Sequence, residues 1–119
     1  MDAFRYEEHE LCCEEVPLSE LVEEFGTPLY VYSRKQIIQN FRTLEAHLAG
    51  TDHLVCYALK ANANPVLLKL LAQEGAGADV VSSGELYFAL MAGFPPERIT
   101  FAGVGKRDDE IEYALKNDI

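Results

Sequence analysis

From His53 onward, short apolar runs alternate with amphipathic stretches in a regular rhythm. The strand-like runs are Leu54–Leu59, Ala78–Val81 and Ile99–Ala102, and each is followed by a helical pattern. Asn64 is placed to cap a helix whose first turn holds Pro65, where the missing N–H costs nothing. Val66, Leu67, Leu70 and Leu71 then share one face. Ser82-Ser83-Gly84-Glu85 has the spacing of a capping box and opens a helix that Gly93 ends. Asp108, Asp109 and Glu110 put negative charge at the start of a last helix and Lys116 puts positive charge near its end, as the helix dipole prefers. Strand and helix in alternation predict βα units and a parallel sheet.

Upstream, Leu18 to Phe25 predicts a short helix ended by Gly26, and Leu29 to Tyr32 is a β-rich run. Ile37, Ile38, Phe41, Leu44 and Leu48 fall on one face of a longer helix. Phe4 to Val16 alternates imperfectly and reads as an edge strand or hairpin. The expected division is an N-terminal segment, 1–26, and a partial barrel-like domain, 27–119. A closed (β/α)8 barrel takes eight strands and about 250 residues. With three clear βα units, and a further strand due at Asn117-Asp118-Ile119, the pattern reads as a piece of a larger protein.

Composition narrows the function classes. The 119 residues are 49% hydrophobic, which fits a globular chain. A net charge of −10 argues against nucleic acid as a partner, because phosphate binding needs a basic patch. The acidity is concentrated early: nine acidic residues against Arg5 alone up to Glu24, which predicts a solvated edge or helix face. No run is long enough for a membrane span, and the acidic N-terminus is unlike a signal peptide, so a cytoplasmic location is expected. Cys12, Cys13 and Cys56 suit neither a disulfide framework nor a zinc site, and His9, His47 and His53 lack metal-ligand spacing.

Two nucleotide motifs fail on inspection. Gly75-Ala-Gly77 lacks its third glycine and precedes a strand, and Gly103-Val-Gly105-Lys106 lacks the early glycine and the Ser/Thr of a P-loop. What remains is a set of polar residues at three successive strand ends: Lys60, then Asp79 with Ser82, then Gly103 with Lys106. The C-terminal ends of parallel strands are where chemistry collects. An amine sheltered there attacks carbonyl carbon, and a carboxylate facing it tunes its charge. Asp79 is the candidate carboxylate. Ser82 and Glu85 read as caps, and Lys106 as a solvated loop lysine.

Tyr57-Ala-Leu-Lys60-Ala-Asn62 resembles the cofactor-lysine motif of the pyridoxal-phosphate decarboxylases that share an alanine-racemase-like barrel. Gly26-Thr-Pro-Leu-Tyr-Val-Tyr-Ser33, Asp79-Val-Val-Ser-Ser-Gly-Glu-Leu86 and Ile99-Thr-Phe-Ala-Gly-Val-Gly-Lys106 extend the resemblance over nearly all of the chain, in family order. The last block is most similar to the diaminopimelate decarboxylase branch and differs from ornithine and arginine decarboxylases. The resemblance implies an α/β fold forming the first βα units of a pyridoxal-phosphate-binding TIM-like barrel. It implies that Lys60 binds pyridoxal 5'-phosphate as a Schiff base, with Asp79 near that lysine and Ala58 a small residue beside the ring. It further implies an amino-acid substrate, meso-diaminopimelate, decarboxylated to L-lysine, and a homodimer when intact. The family's phosphate cradle, its acid facing the pyridine nitrogen, its substrate-binding arginines and its catalytic cysteine lie further along than these residues. The chain alone is therefore expected to be inactive. The competing expectations are another decarboxylase or racemase on the same barrel, or a non-catalytic, self-associating fragment.

Overall fold

Two-residue turns shape the chain as far as Pro17. The computed structural model describes residues 3–119, and their contacts divide between Leu44 and Glu45 into two compact units. In the first unit, β1 (Phe4–Glu7) runs antiparallel to β2 (Glu10–Cys13), with Glu7 opposite Glu10. β2 pairs in turn with β3 (Val16–Pro17), Cys13 facing Val16. The opening segment is thus a three-stranded antiparallel meander. Glu8 and Glu14 open the two turns at φ 56° and 57°, the positive sense that tight hairpins require of a turn residue. Cys12 and Cys13 are buried and unbonded.

Helix α1 (Leu18–Phe25) follows directly, and Gly26 ends it at φ 76° with its N–H donating to the Val22 carbonyl. Leu29 to Tyr32, β-rich in sequence, forms no strand. Among the described residues it has no ladder partner, and a strand is defined by that pairing rather than by propensity. Helix α2 (Arg34–Leu48) then starts on a two-part cap. Ser33 Oγ accepts from the Gln36 N–H at 3.0 Å, and the Glu14 carboxylate accepts from Ser33 Oγ at 2.7 Å and the Lys35 N–H at 2.8 Å. Those bonds hold the Glu14 carboxyl below its ordinary pKa, with the Lys35 backbone N–H the largest cause.

The second unit is the βα alternation that the sequence predicts. Strands β4 (Cys56–Ala58), β5 (Gly77–Val80) and β6 (Ile99–Phe101) form a parallel sheet in that order. Helices α3 (Pro65–Gln73), α4 (Ser83–Ala92) and α5 (Asp108–Lys116) follow them in turn. The strands are shorter than the apolar runs, because Leu54, Val55 and Leu59 lie outside the ladder. Leu59 instead begins a single 3-10 turn, Leu59–Ala61, and is buried there. Caps appear where the sequence places them. Asn64 Oδ1 accepts from the Val66 N–H, Ser82 Oγ accepts from the Glu85 N–H, and Gly93 ends α4 at φ 92°.

Side chains alternate across a strand, and here the two faces of the sheet diverge. Ala78 and Val80 are fully buried and Ile99 nearly so, in one core with Leu68, Leu71, Leu86, Ala89 and Ala114 of the helices. Ala58, Asp79 and Thr100 point the other way and are only half-buried or exposed. Gly77 is constrained on the same side. A Cβ there would lie 2.7 Å from both the Arg98 carbonyl oxygen and Cys56 Sγ, so no larger residue fits without moving backbone. At the edge of this unit, His53 Nε2 lies 3.3 Å from the Glu45 carboxylate and Nδ1 lies 3.0 Å from the Thr51 carbonyl oxygen.

Candidate active site

Ladder register, which no local pattern states, brings the candidate residues into a line. Ala58 is paired with Asp79, and Asp79 with Thr100, so three side chains stand abreast on the open face near the C-terminal ends of the strands. Lys60 follows two residues after Ala58, in the middle of the 3-10 turn. Leu59 anchors that turn from below with 1% of its surface exposed, while Lys60 itself is exposed. The way out is fixed by polar contacts. The Tyr57 hydroxyl donates to the Asn62 carbonyl oxygen at 3.1 Å, and Asn62 Oδ1 accepts from the Asn64 N–H at 2.9 Å.

The shelter that the sequence reading expects for the Lys60 amine is absent among the described residues, and so is an ion pair between Lys60 and Asp79. The reason is architectural: three strands make an open sheet, and nothing described here walls off the face that carries Ala58 and Asp79. The structure therefore places Lys60 and Asp79 at neighbouring strand ends without joining their charges.

The other two strand ends are more constrained than the sequence suggests. Ser82 and Glu85 do act at the start of α4, but the Glu85 carboxylate accepts from the Val81 N–H at 2.8 Å. Lys106, read as a solvated loop lysine, folds back instead. Its ammonium donates to the Gly103 carbonyl oxygen at 2.9 Å and sits 5.2 Å from the centre of the Phe101 ring, a cation–π distance. Glu110 is the residue whose role sequence reasoning missed. One carboxylate oxygen accepts from the Ser83 N–H at 3.1 Å and the other from the Arg107 N–H at 3.2 Å, so a single side chain ties the starts of α4 and α5 together. Only 13% of that side chain is exposed, and the two N–H donors, Arg107 first, hold the carboxyl below its usual pKa. The acidic start of α5 was visible as a helix-dipole signal, but the contact to Ser83 depends on tertiary packing.

These residues fit one side of an aldehyde cofactor. An exposed primary amine stands at a strand end, a methyl side chain leaves the neighbouring sheet surface flat, and a carboxylate lies in the same row. No group of three or more metal-ligating side chains occurs among the described residues, and no helix there is long and apolar enough to cross a membrane.

Comparison with known proteins shows the family of the chain. Residues 34–119 match the model of the family described as pyridoxal-dependent decarboxylase, pyridoxal binding domain. The chain is 54% identical over 114 residues to diaminopimelate decarboxylase of Aquifex aeolicus, covering 96% of this chain and 27% of that protein. It is 50% identical over 116 residues to the Pseudomonas aeruginosa enzyme of the same name, covering 98% of this chain and 28% of that one. Diaminopimelate decarboxylase from M. jannaschii, solved in co-complex with L-lysine, superposes with a TM-score of 0.90 at 38% identity, over 99% of this chain and 29% of that one. The chain thus spans little more than a quarter of the length of these relatives. From the matched residues and the shared fold, it belongs to the pyridoxal-dependent decarboxylases, within their pyridoxal-binding domain.

Proposed function

We propose that this chain is the N-terminal part of a diaminopimelate decarboxylase, supplying the first βα units of its cofactor-binding barrel from within residues 27–119. The observation that carries the reading is Lys60, an exposed amine at the end of β4 beside the Ala58–Asp79 row, in a chain this similar to enzymes of that name. The reaction is loss of the α-carboxylate of meso-diaminopimelate as carbon dioxide, leaving L-lysine. A cytoplasmic homodimer with shared active sites belongs to the same reading.

In this proposal each residue has a separate task. Lys60 would hold the cofactor by its aldehyde group. Ala58 leaves room for a flat ring against the sheet, where a longer side chain would hold it off. Asp79, in register with Ala58, would lie near the amine and offset positive charge there. Pyridoxal phosphate, when bound, supplies an electron-withdrawing ring for the electron pair left by the departing carboxylate. With the cofactor bound, the Lys60 Nζ amine would be placed to deliver a proton to the α-carbon in place of the departing carboxylate.

The test is a chimera in which these 119 residues replace their counterpart in the Aquifex aeolicus enzyme. Release of carbon dioxide from meso-diaminopimelate, lost on Lys60→Ala with the fold retained, supports the proposal. A chimera that folds and keeps its rate without Lys60 refutes it. The chain alone is expected to show no decarboxylase activity. A second reading, self-association through the open sheet, draws on the exposed row of β4–β6 and predicts concentration-dependent oligomers on sizing columns.

A further inference from the structure

We infer that Tyr57 is a positioning residue for Lys60: its hydroxyl closes the turn from β4 to α3 and so fixes the direction in which the amine leaves the sheet. The inference rests on the proposed cofactor role of Lys60 and adds a residue to it. Three observations carry it. A 3-10 segment of three residues has little stability of its own, and Asn62 already leaves it in extended conformation, at φ −164° and ψ 111°. The turn is instead held by its ends. Leu59 is buried beneath it, and the Asn62 carbonyl oxygen accepts from Tyr57 Oη at 3.1 Å.

Second, Asn62 is pinned by both of its oxygens, the main-chain one by Tyr57 and Oδ1 by the Asn64 N–H, whose own side chain caps α3. A continuous line of hydrogen bonds therefore runs from β4 around Lys60 into the helix. Third, Tyr57 stands opposite the fully buried Ala78 in the ladder, on the face that the helices cover, whereas Ala58 faces the other way. The brace sits behind the sheet and leaves the Ala58–Asp79 row clear.

Orientation matters because the step is a condensation. Lys60 Nζ bonds to the aldehyde carbon, the carbonyl oxygen leaves as water, and that water takes both amine protons. An amine free to swing loses part of its advantage over other lysines. One side-chain-to-backbone hydrogen bond accounts for about a fivefold preference in orientation.

The experiment uses the 119-residue chain as wild type, Tyr57→Phe and Lys60→Ala. Each is titrated with pyridoxal phosphate and reduced with borohydride, and the label on each lysine is read by peptide mass. The expected result is preferential labelling of Lys60 in the wild type, reduced about fivefold relative to Lys69 and Lys116 in Tyr57→Phe, with circular dichroism unchanged. Equal preference for Lys60 in both chains overturns the inference. So does loss of helical signal in Tyr57→Phe, which would assign the hydroxyl to global stability. If the wild type shows no preference for Lys60, it is the cofactor reading that fails. Amide exchange at Ala61–Ala63 then decides the brace: several-fold faster exchange in Tyr57→Phe supports it, and no change overturns it.

Discussion

Leu29 to Tyr32 is rich in β-formers and Gly77–Val80 is not, since glycine, alanine and aspartate disfavour strands, yet only the second is a strand. Within Gly77–Val80, Ala78 and Val80 are fully buried, and both neighbouring strands bond to it. In Leu29–Tyr32, Tyr30 is 86% and Tyr32 59% exposed while Leu29 and Val31 are half-buried, the alternation of a strand without its ladder. Composition sets which residues prefer extended backbone, but the hydrogen-bonding partner decides whether a strand results.

The comparison breaks most sharply under a buried charge. Val80→Asp puts a carboxylate beneath the helices and is expected to cost more than about 4 kcal/mol, read as loss of the cooperative urea transition. Tyr30→Asp, the same charge on the unpaired run, is expected to stay within about 0.5 kcal/mol of wild type. If both were equally damaging, the run would be buried in solution and the contrast would fail.

Gly77→Ala is the next largest effect. The added methyl meets a backbone oxygen that cannot swing away, so a cost of about 1–3 kcal/mol is expected from chemical denaturation. Asn64→Ala removes the cap of α3 and is expected to cost about 1 kcal/mol, with faster amide exchange at Val66.

The smallest effects are those of pH, and they run in opposite directions in the two units. Glu14 titrates lower in the folded chain, so its stabilisation is present above its unfolded pKa, near 4.5, and is lost as pH falls through the folded value. His53 is raised, chiefly by its bond to the Thr51 carbonyl, with Glu45 adding to it. Its stabilisation is complete below about pH 6.5 and is lost as pH rises through the folded value. Glu14→Gln and His53→Gln should each flatten one limb of a plot of melting temperature against pH. A limb left unchanged would show that the corresponding bond does not persist in solution.

Local chemistry was the legible part of the fold. Asn64-Pro65, Ser82 through Glu85, Gly26 and Gly93 each fix a helix end through groups within a few residues, so sequence spacing was enough to find them. Lys60 and Asp79 were legible as positions at strand ends and Ala58 only through the family resemblance, while their alignment came from ladder register. Lys60 is exposed among the described residues because desolvation belongs to a closed wall, of which these three strands form one part. Lys106 and Glu110 were underread for the opposite reason. Lys106, in the loop before α5, meets Phe101 of the preceding strand, and Glu110 meets Ser83 of another helix.

Glu110 has one more consequence. Because its two oxygens serve amides on separate segments, adding a single proton slackens both attachments in the same event. Acidification should therefore move the NMR signals of Ser83 and Arg107 along one shared titration curve, below the ordinary carboxylate range, although the two residues are distant in sequence. Two rim loops latched by one carboxylate are released as a pair.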